Sequence, residues 1–154
     1  MHRLKRVLCL IAGCLLGAGT FSVATAQADD ETTIKYRQSV MKGVGGHTGA
    51  IFQIVKKDIP HKDHLSAHAR ALNDLLAMAK VSFKAETSGG KTRAKPKIWT
   101  DFAGFETAAR EAEMASAELV AAVDSGNEME ISKKFAAVQD TCKGCHKEYR
   151  EKKK

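Results

Sequence analysis

Apolar and small residues return along this chain at helical spacing and almost nowhere at strand spacing. Ile34, Met41, Val44, Thr48, Ile51 and Val55 stand at intervals of three, four and seven, which puts them on one side of an α-helix. The whole chain has only two prolines and no long alternating run. The spacing predicts a first helix over 32–57, stopped by Pro60. A second follows over 61–84, with Leu65, Leu72, Leu75, Leu76, Ala79 and Phe83 inward. The polar, glycine-containing "ETSGGKTRAK" (86–95) reads as a loop. Pro96 then opens a third helix carrying Ile98, Trp99, Phe102, Phe105, Ala109, Leu119 and Val123. "DSGN" (124–127) supplies a glycine stop and an asparagine cap. A fourth helix is expected over 128–152, with Ile131, Phe135, Val138 and Cys142 on one stripe. Four such helices are each about 33–40 Å long. Short connections make sequential neighbours antiparallel. The expected fold is all-α, an up-down-up-down four-helix bundle.

The first 28 residues read differently. "MHRLKRVLCLIAGCLLGAGTFSVATAQA" begins with Arg3, Lys5 and Arg6, runs apolar to Val23 and ends in overlapping A-x-A sites. That is the layout of a cleaved secretory signal. A retained membrane anchor fits worse, because Gly13, Gly17, Gly19 and Thr20 interrupt the run. A lipoprotein box at "IAGC" (11–14) would leave a very short signal. Cleavage takes the formal charge from +7 to +4 and leaves one domain, 29–154, with Cys142 and Cys145 as its only cysteines. Two cysteines three apart close a tiny, strained loop, so a structural disulfide is not expected.

Those cysteines sit in "TCKGCHKEYR" (141–150). On a helix Cys142 and Cys145 share a face, and His146 projects from nearly the same side. Zinc needs four ligands, so a second pair would have to come from the histidines at 61–68. A thioredoxin-like dithiol wants a CxxC beside a βαβ unit, and no strands are predicted. Covalent haem attachment explains every member of C-x-x-C-H: each thiol adds to one vinyl group, and the imidazole reaches the iron as proximal ligand. The cofactor expected is one covalently attached haem c.

A CxxCH near the end of a four-helix bundle, followed by an aromatic and a basic residue in "CHKEYR" (145–150), resembles the class II cytochromes c, the cytochrome c prime family. "KYRQSVM" (35–41) and "KPKIW" (95–99) extend the resemblance over the mature chain. It implies a periplasmic location and often a homodimer. It also implies a choice between high-spin members, whose open sixth position binds small gases, and low-spin members with a methionine ligand, which carry electrons. Within it, Arg37 is expected to pair with a haem propionate, and Tyr149 and Trp99 to lie against the ring; a solvated surface arginine and simple core packing of Trp99 are the alternatives.

Met41 is the candidate sixth ligand. It lies about 14 Å into the first helix, and His146 about 9 Å from the end of the fourth, so the two fall near one level on adjacent antiparallel helices. The alternative is ordinary core filling. Beside it, "MKGVGGHTGA" (41–50) places four glycines inside a helix, each costing about 1 kcal/mol against alanine. A flat ring lying close to the backbone would account for them, as would close helix packing. His47 points about 120° away from Met41 and is a poor rival. His61, His64 and His68 form a stripe that could bind a metal. No carboxylate clearly completes the set, so a solvated or partly buried face is expected.

Basic residues cluster at Lys84, Lys91, Arg93, Lys95 and Lys97, and again at Lys147, Arg150, Lys152, Lys153 and Lys154. A basic collar near the haem edge would steer an acidic redox partner. Nucleic acid is not an expected partner, nor is a membrane span after signal cleavage. No catalytic triad, paired acid or nucleotide motif appears, so an enzyme is not expected. The sequence favours a one-electron carrier with His146 and Met41 as axial ligands. The alternative is a five-coordinate gas-binding or gas-scavenging protein with Met41 merely lining an open site.

Overall fold

The computed structural model describes residues 29–57, 59–87 and 89–152, and the proposed signal segment lies outside them. Helix α1 spans Asp30–Lys57. A 3-10 turn, Lys62–His64, leads into α2, Leu65–Ser82. A short α3, Lys97–Thr100, precedes α4, Phe102–Ser125, and α5 runs Glu128–Tyr149. The four long helices form the antiparallel bundle, with α1 against α2, α2 against α4 and α4 against α5. No described helix is long and apolar enough to cross a membrane.

The expected third helix is two helices. Asp101 leaves the helical region at φ −137° and ψ 55°, and its carboxylate accepts the Gly104 amide, capping α4. A short acidic side chain that bonds the backbone locally competes with helix continuation and wins at a cap. The fourth helix also stops early. Arg150 is extended and forms an isolated antiparallel bridge with Ala94. The Lys95 amide donates to the Tyr149 carbonyl at 3.0 Å, and the Glu151 amide to the Arg93 carbonyl at 2.8 Å. The basic loop and the basic tail are therefore laced together at one end of the bundle. Gly126 (φ 69°) ends α4 in the left-handed conformation, and Asn127 caps α5 through the amides of Met129 and Glu130. Both follow the expectation from "DSGN".

Ile51, Leu72, Leu119, Phe135 and Val138 are fully buried in the main core. Ser116 is buried among them, satisfied by Asn73 Nδ2 at 2.8 Å and by its own bond to the Glu113 carbonyl at 2.7 Å. A second cluster, Ile98, Phe105 and Tyr149, closes the end where the loop meets α5. The inner stripe of α1 is Ile34, Arg37, Val40, Val44, Ile51 and Ile54. Met41, Thr48 and Val55 are half-buried rather than inward, because the edge of α1 that holds Met41 and Thr48 faces a cavity.

Candidate functional site

Helices α1 and α5 touch only sparsely, in contrast to the other neighbouring pairs. Between them lies a cavity of about 780 Å³, within the range of pockets that enclose small molecules. Helix α1 contributes Met41, Gly45, Thr48, Gly49 and Phe52 to its wall; α2 contributes Leu76 and Ala79, with Phe83 just past its end; α5 contributes Cys142, Cys145, His146 and Tyr149. The glycines of α1 divide by role. A Cβ on Gly43 would come 3.0 Å from Leu75 Cδ1, so Gly43 serves close packing on α2. Gly45 and Gly49, one turn apart, line the cavity, and a Cβ on either would meet nothing within 4 Å. Their bare backbone leaves room for a flat group. Gly46 is off the wall and open.

The last three turns of α5 carry the chemistry. Cys142 and Cys145 are half-buried and free. Burial pushes both thiols up, Cys145 to about 11, where the neighbouring Cys142 adds to the effect of burial. Redox-active dithiols have a depressed thiol pKa, and the burial here acts in the opposite direction. Burial first, then the charges of Arg150 and Arg93, push the His146 imidazole down to about 4. At neutral pH it is uncharged and presents a lone pair, as a metal ligand must. The zinc reading fails on distance. Lys62, beside the 61–68 histidines, pairs with Glu128 at 2.7 Å, and Glu128 begins α5 about 21 Å along the axis from Cys142.

Two thiols on one helix face, a neutral imidazole beside them and a cavity walled by apolar groups and bare glycine backbone fit a haem c. The structure places the other candidates unevenly. Met41 lines the cavity. Tyr149 is buried, stacks edge-on against Phe105 at 5.4 Å and also lines it. Trp99 is not on the wall: its indole N–H donates to the Phe83 carbonyl at 3.0 Å, behind the aromatic cluster. Arg37 is not solvated. It is buried, with Nε donating to the Ser82 carbonyl at 2.8 Å, one terminal nitrogen to Thr87 Oγ1 at 3.0 Å and the other to the Ala85 carbonyl. Its guanidinium also lies over Phe83 and Trp99. It closes the C-terminal end of α2 and also lines the cavity. Arg93 and Arg150, two members of the expected basic collar, line the cavity as well. The signal for Arg150 was its place in "CHKEYR". His47 is away from the cavity and faces His68, their Nδ1 atoms 2.9 Å apart.

An all-α bundle with a cysteine-paired, histidine-flanked cavity at one end is the architecture of a c-type cytochrome. The family model described as Cytochrome C' matches residues 32–150. A cytochrome c' of Rhodospirillum rubrum is 33% identical over 92% of this chain and 96% of its own length. One from Alcaligenes xylosoxydans is 33% identical over 82% and 98%. Among solved structures, a nitric oxide complex of a cytochrome c prime variant from Alcaligenes xylosoxidans superposes with a TM-score of 0.76 at 33% identity, over 82% of this chain and 99% of that one. Cytochrome c' from Rubrivivax gelatinosus gives 0.75 at 28% identity, over 80% and 98%. The chain belongs to the cytochrome c' family, and its cofactor is one covalently bound haem c.

Proposed function

We propose that this chain is a periplasmic gas-binding protein whose haem iron is high-spin and five-coordinate, with an open sixth position. Once bound, the haem would supply an iron centre able to take up nitric oxide or carbon monoxide. Cys142 and Cys145 are its covalent anchors, and placing them one helical turn apart on α5 fixes the ring's orientation to the bundle. His146 offers the neutral imidazole of the fifth position. Burial, aided by the charges of Arg150 and Arg93, keeps that imidazole unprotonated, and both arginines line the cavity, where they could pair with a carboxylate of the cofactor. Met41 and Phe52 make the α1 wall apolar, which excludes water and favours an uncharged diatomic ligand over an anion.

The observation that carries this reading is the likeness to cytochromes c' over nearly the whole chain, including structures determined as nitric oxide complexes. The other reading is a low-spin His146/Met41 electron carrier. What favours it is the position of Met41 on the cavity wall. In that case the laced basic loop and tail would serve an acidic redox partner. A carbon monoxide titration of the ferrous protein separates the two, run on the wild type and on Met41→Leu. Gas-binding function predicts a readily shifted spectrum in both. A wild type that resists the gas while Met41→Leu accepts it assigns Met41 to the iron and overturns the proposal.

A further inference from the structure

Four of the six histidines, His47, His61, His64 and His68, belong to α1, to α2 and to the turn before it, and none of them lines the cavity. The structure sorts them into two groups. His47 of α1 and His68 of α2 face each other across the helix interface, Nδ1 to Nδ1 at 2.9 Å. His61 and His64 belong to the turn before α2. There the His61 amide donates to the Ile59 carbonyl at 2.8 Å and the His64 amide to the His61 carbonyl at 3.0 Å. In a 3-10 turn side chains three apart are eclipsed. The two imidazoles accordingly stack, with centroids 5.1 Å apart and planes within 5° of parallel. Asp63 lies between them in sequence and on the same side in space. One nitrogen of each ring and one carboxylate oxygen of Asp63 all lie within 4.8 Å of one another.

The geometry points to a surface site for a divalent transition-metal ion, held by His61, Asp63 and His64. An ion bonded to imidazole nitrogen at about 2.0–2.1 Å and to carboxylate oxygen at about 2.0–2.2 Å brings its donors closer than they stand here. All three side chains are exposed, so side-chain rotation alone can close the gap while the hydrogen-bonded turn keeps its backbone. Two imidazoles and one carboxylate suit zinc, copper or nickel better than calcium or magnesium. Lys62, the cation within the turn, is drawn away to Glu128 of α5 at 2.7 Å. Asp63 supplies the negative charge that a cation needs at the start of α2, where the helix dipole repels it. Three protein ligands leave at least one position to water or to a group from another molecule.

The test uses the purified holoprotein and titrates Zn²⁺ by calorimetry in a non-chelating buffer, with the haem spectrum recorded in parallel. The expected result is a single ion per chain. His61→Ala, His64→Ala and Asp63→Asn should each weaken binding by on the order of tenfold or more, with the haem spectrum unchanged. His68→Ala should leave the affinity as it was. Loss of binding in His68→Ala with His61→Ala and His64→Ala unaffected would move the ion to the α1/α2 pair and overturn the assignment. So would a wild type that takes up no Zn²⁺ at millimolar concentration.

Discussion

Tyr149 donates its phenolic hydrogen to Asp101 Oδ2 across 3.1 Å, and the other oxygen of that carboxylate accepts the Gly104 amide at 3.3 Å. One side chain thus caps α4 and ties down the last residue of α5, three positions beyond His146. A Cβ on Gly104 would lie 2.5 Å from Asp101 Oδ2 and 2.7 Å from the Tyr149 hydroxyl, so this junction is built around a missing side chain. Tyr149→Phe should cost about 1 kcal/mol of unfolding free energy. Asp101→Ala, which removes the cap as well, should cost about 2 kcal/mol. Denaturant unfolding of the holoprotein reads both. A neutral Asp101→Ala would mean that neither bond contributes.

The same hydroxyl sets an alkaline limit. Burial, then the hydrogen bond to Asp101, raise the Tyr149 pKa. Above about pH 10, the ordinary tyrosine value, the unfolded chain releases a proton that the folded chain keeps. Stability is therefore fully present below about pH 10 and is lost as pH rises through the folded pKa. Denaturation midpoints followed from about pH 9 upward should fall, and fall less steeply in Tyr149→Phe. Parallel slopes in the two proteins would remove Tyr149 as the cause.

Arg37 joins α1 to the end of α2 through two carbonyls and a hydroxyl. Removing a buried charged donor strands its acceptors, so Arg37→Ala should destabilise by on the order of 3 kcal/mol. Arg37→Lys should recover only part of this, because a single ammonium cannot reproduce the guanidinium fork. Calorimetric melting of the three proteins tests the order. Full recovery by lysine would reduce Arg37 to a simple charge.

The glycines of α1 should respond in opposite directions. Gly46→Ala meets open space and should stabilise by about 0.5–1 kcal/mol. Gly45→Leu and Gly49→Leu put a branched side chain into the cavity and should lower the haem absorbance per unit of protein. Full haem occupancy in both leucine variants would show that the bare backbone serves something other than the cofactor.

The helical stripes were legible because packing needs residues of one kind at one period, as Leu65, Leu72 and Phe135 show. The break at Asp101 was not. No proline or glycine stands there, and apolar residues continue on both sides, so only the local bond to Gly104 reveals it. The acceptors of Arg37, Ser82, Ala85 and Thr87, were not legible because they lie at least 45 residues away. The histidine stripe was read as one face. Tertiary contact instead pairs His68 with His47, while the 3-10 turn brings Asp63 to His61 and His64. The CxxCH chemistry was readable because its members are covalent neighbours. Whether Met41 reaches an iron depends on helix separation, which periodicity does not encode.

The most direct measurement is electron paramagnetic resonance of the ferric holoprotein at neutral pH. The account predicts the axial signal of a high-spin iron with His146 as its only protein ligand, unchanged in Met41→Leu. A rhombic low-spin signal in the wild type that becomes high-spin in Met41→Leu would contradict it and make the protein a His/Met electron carrier.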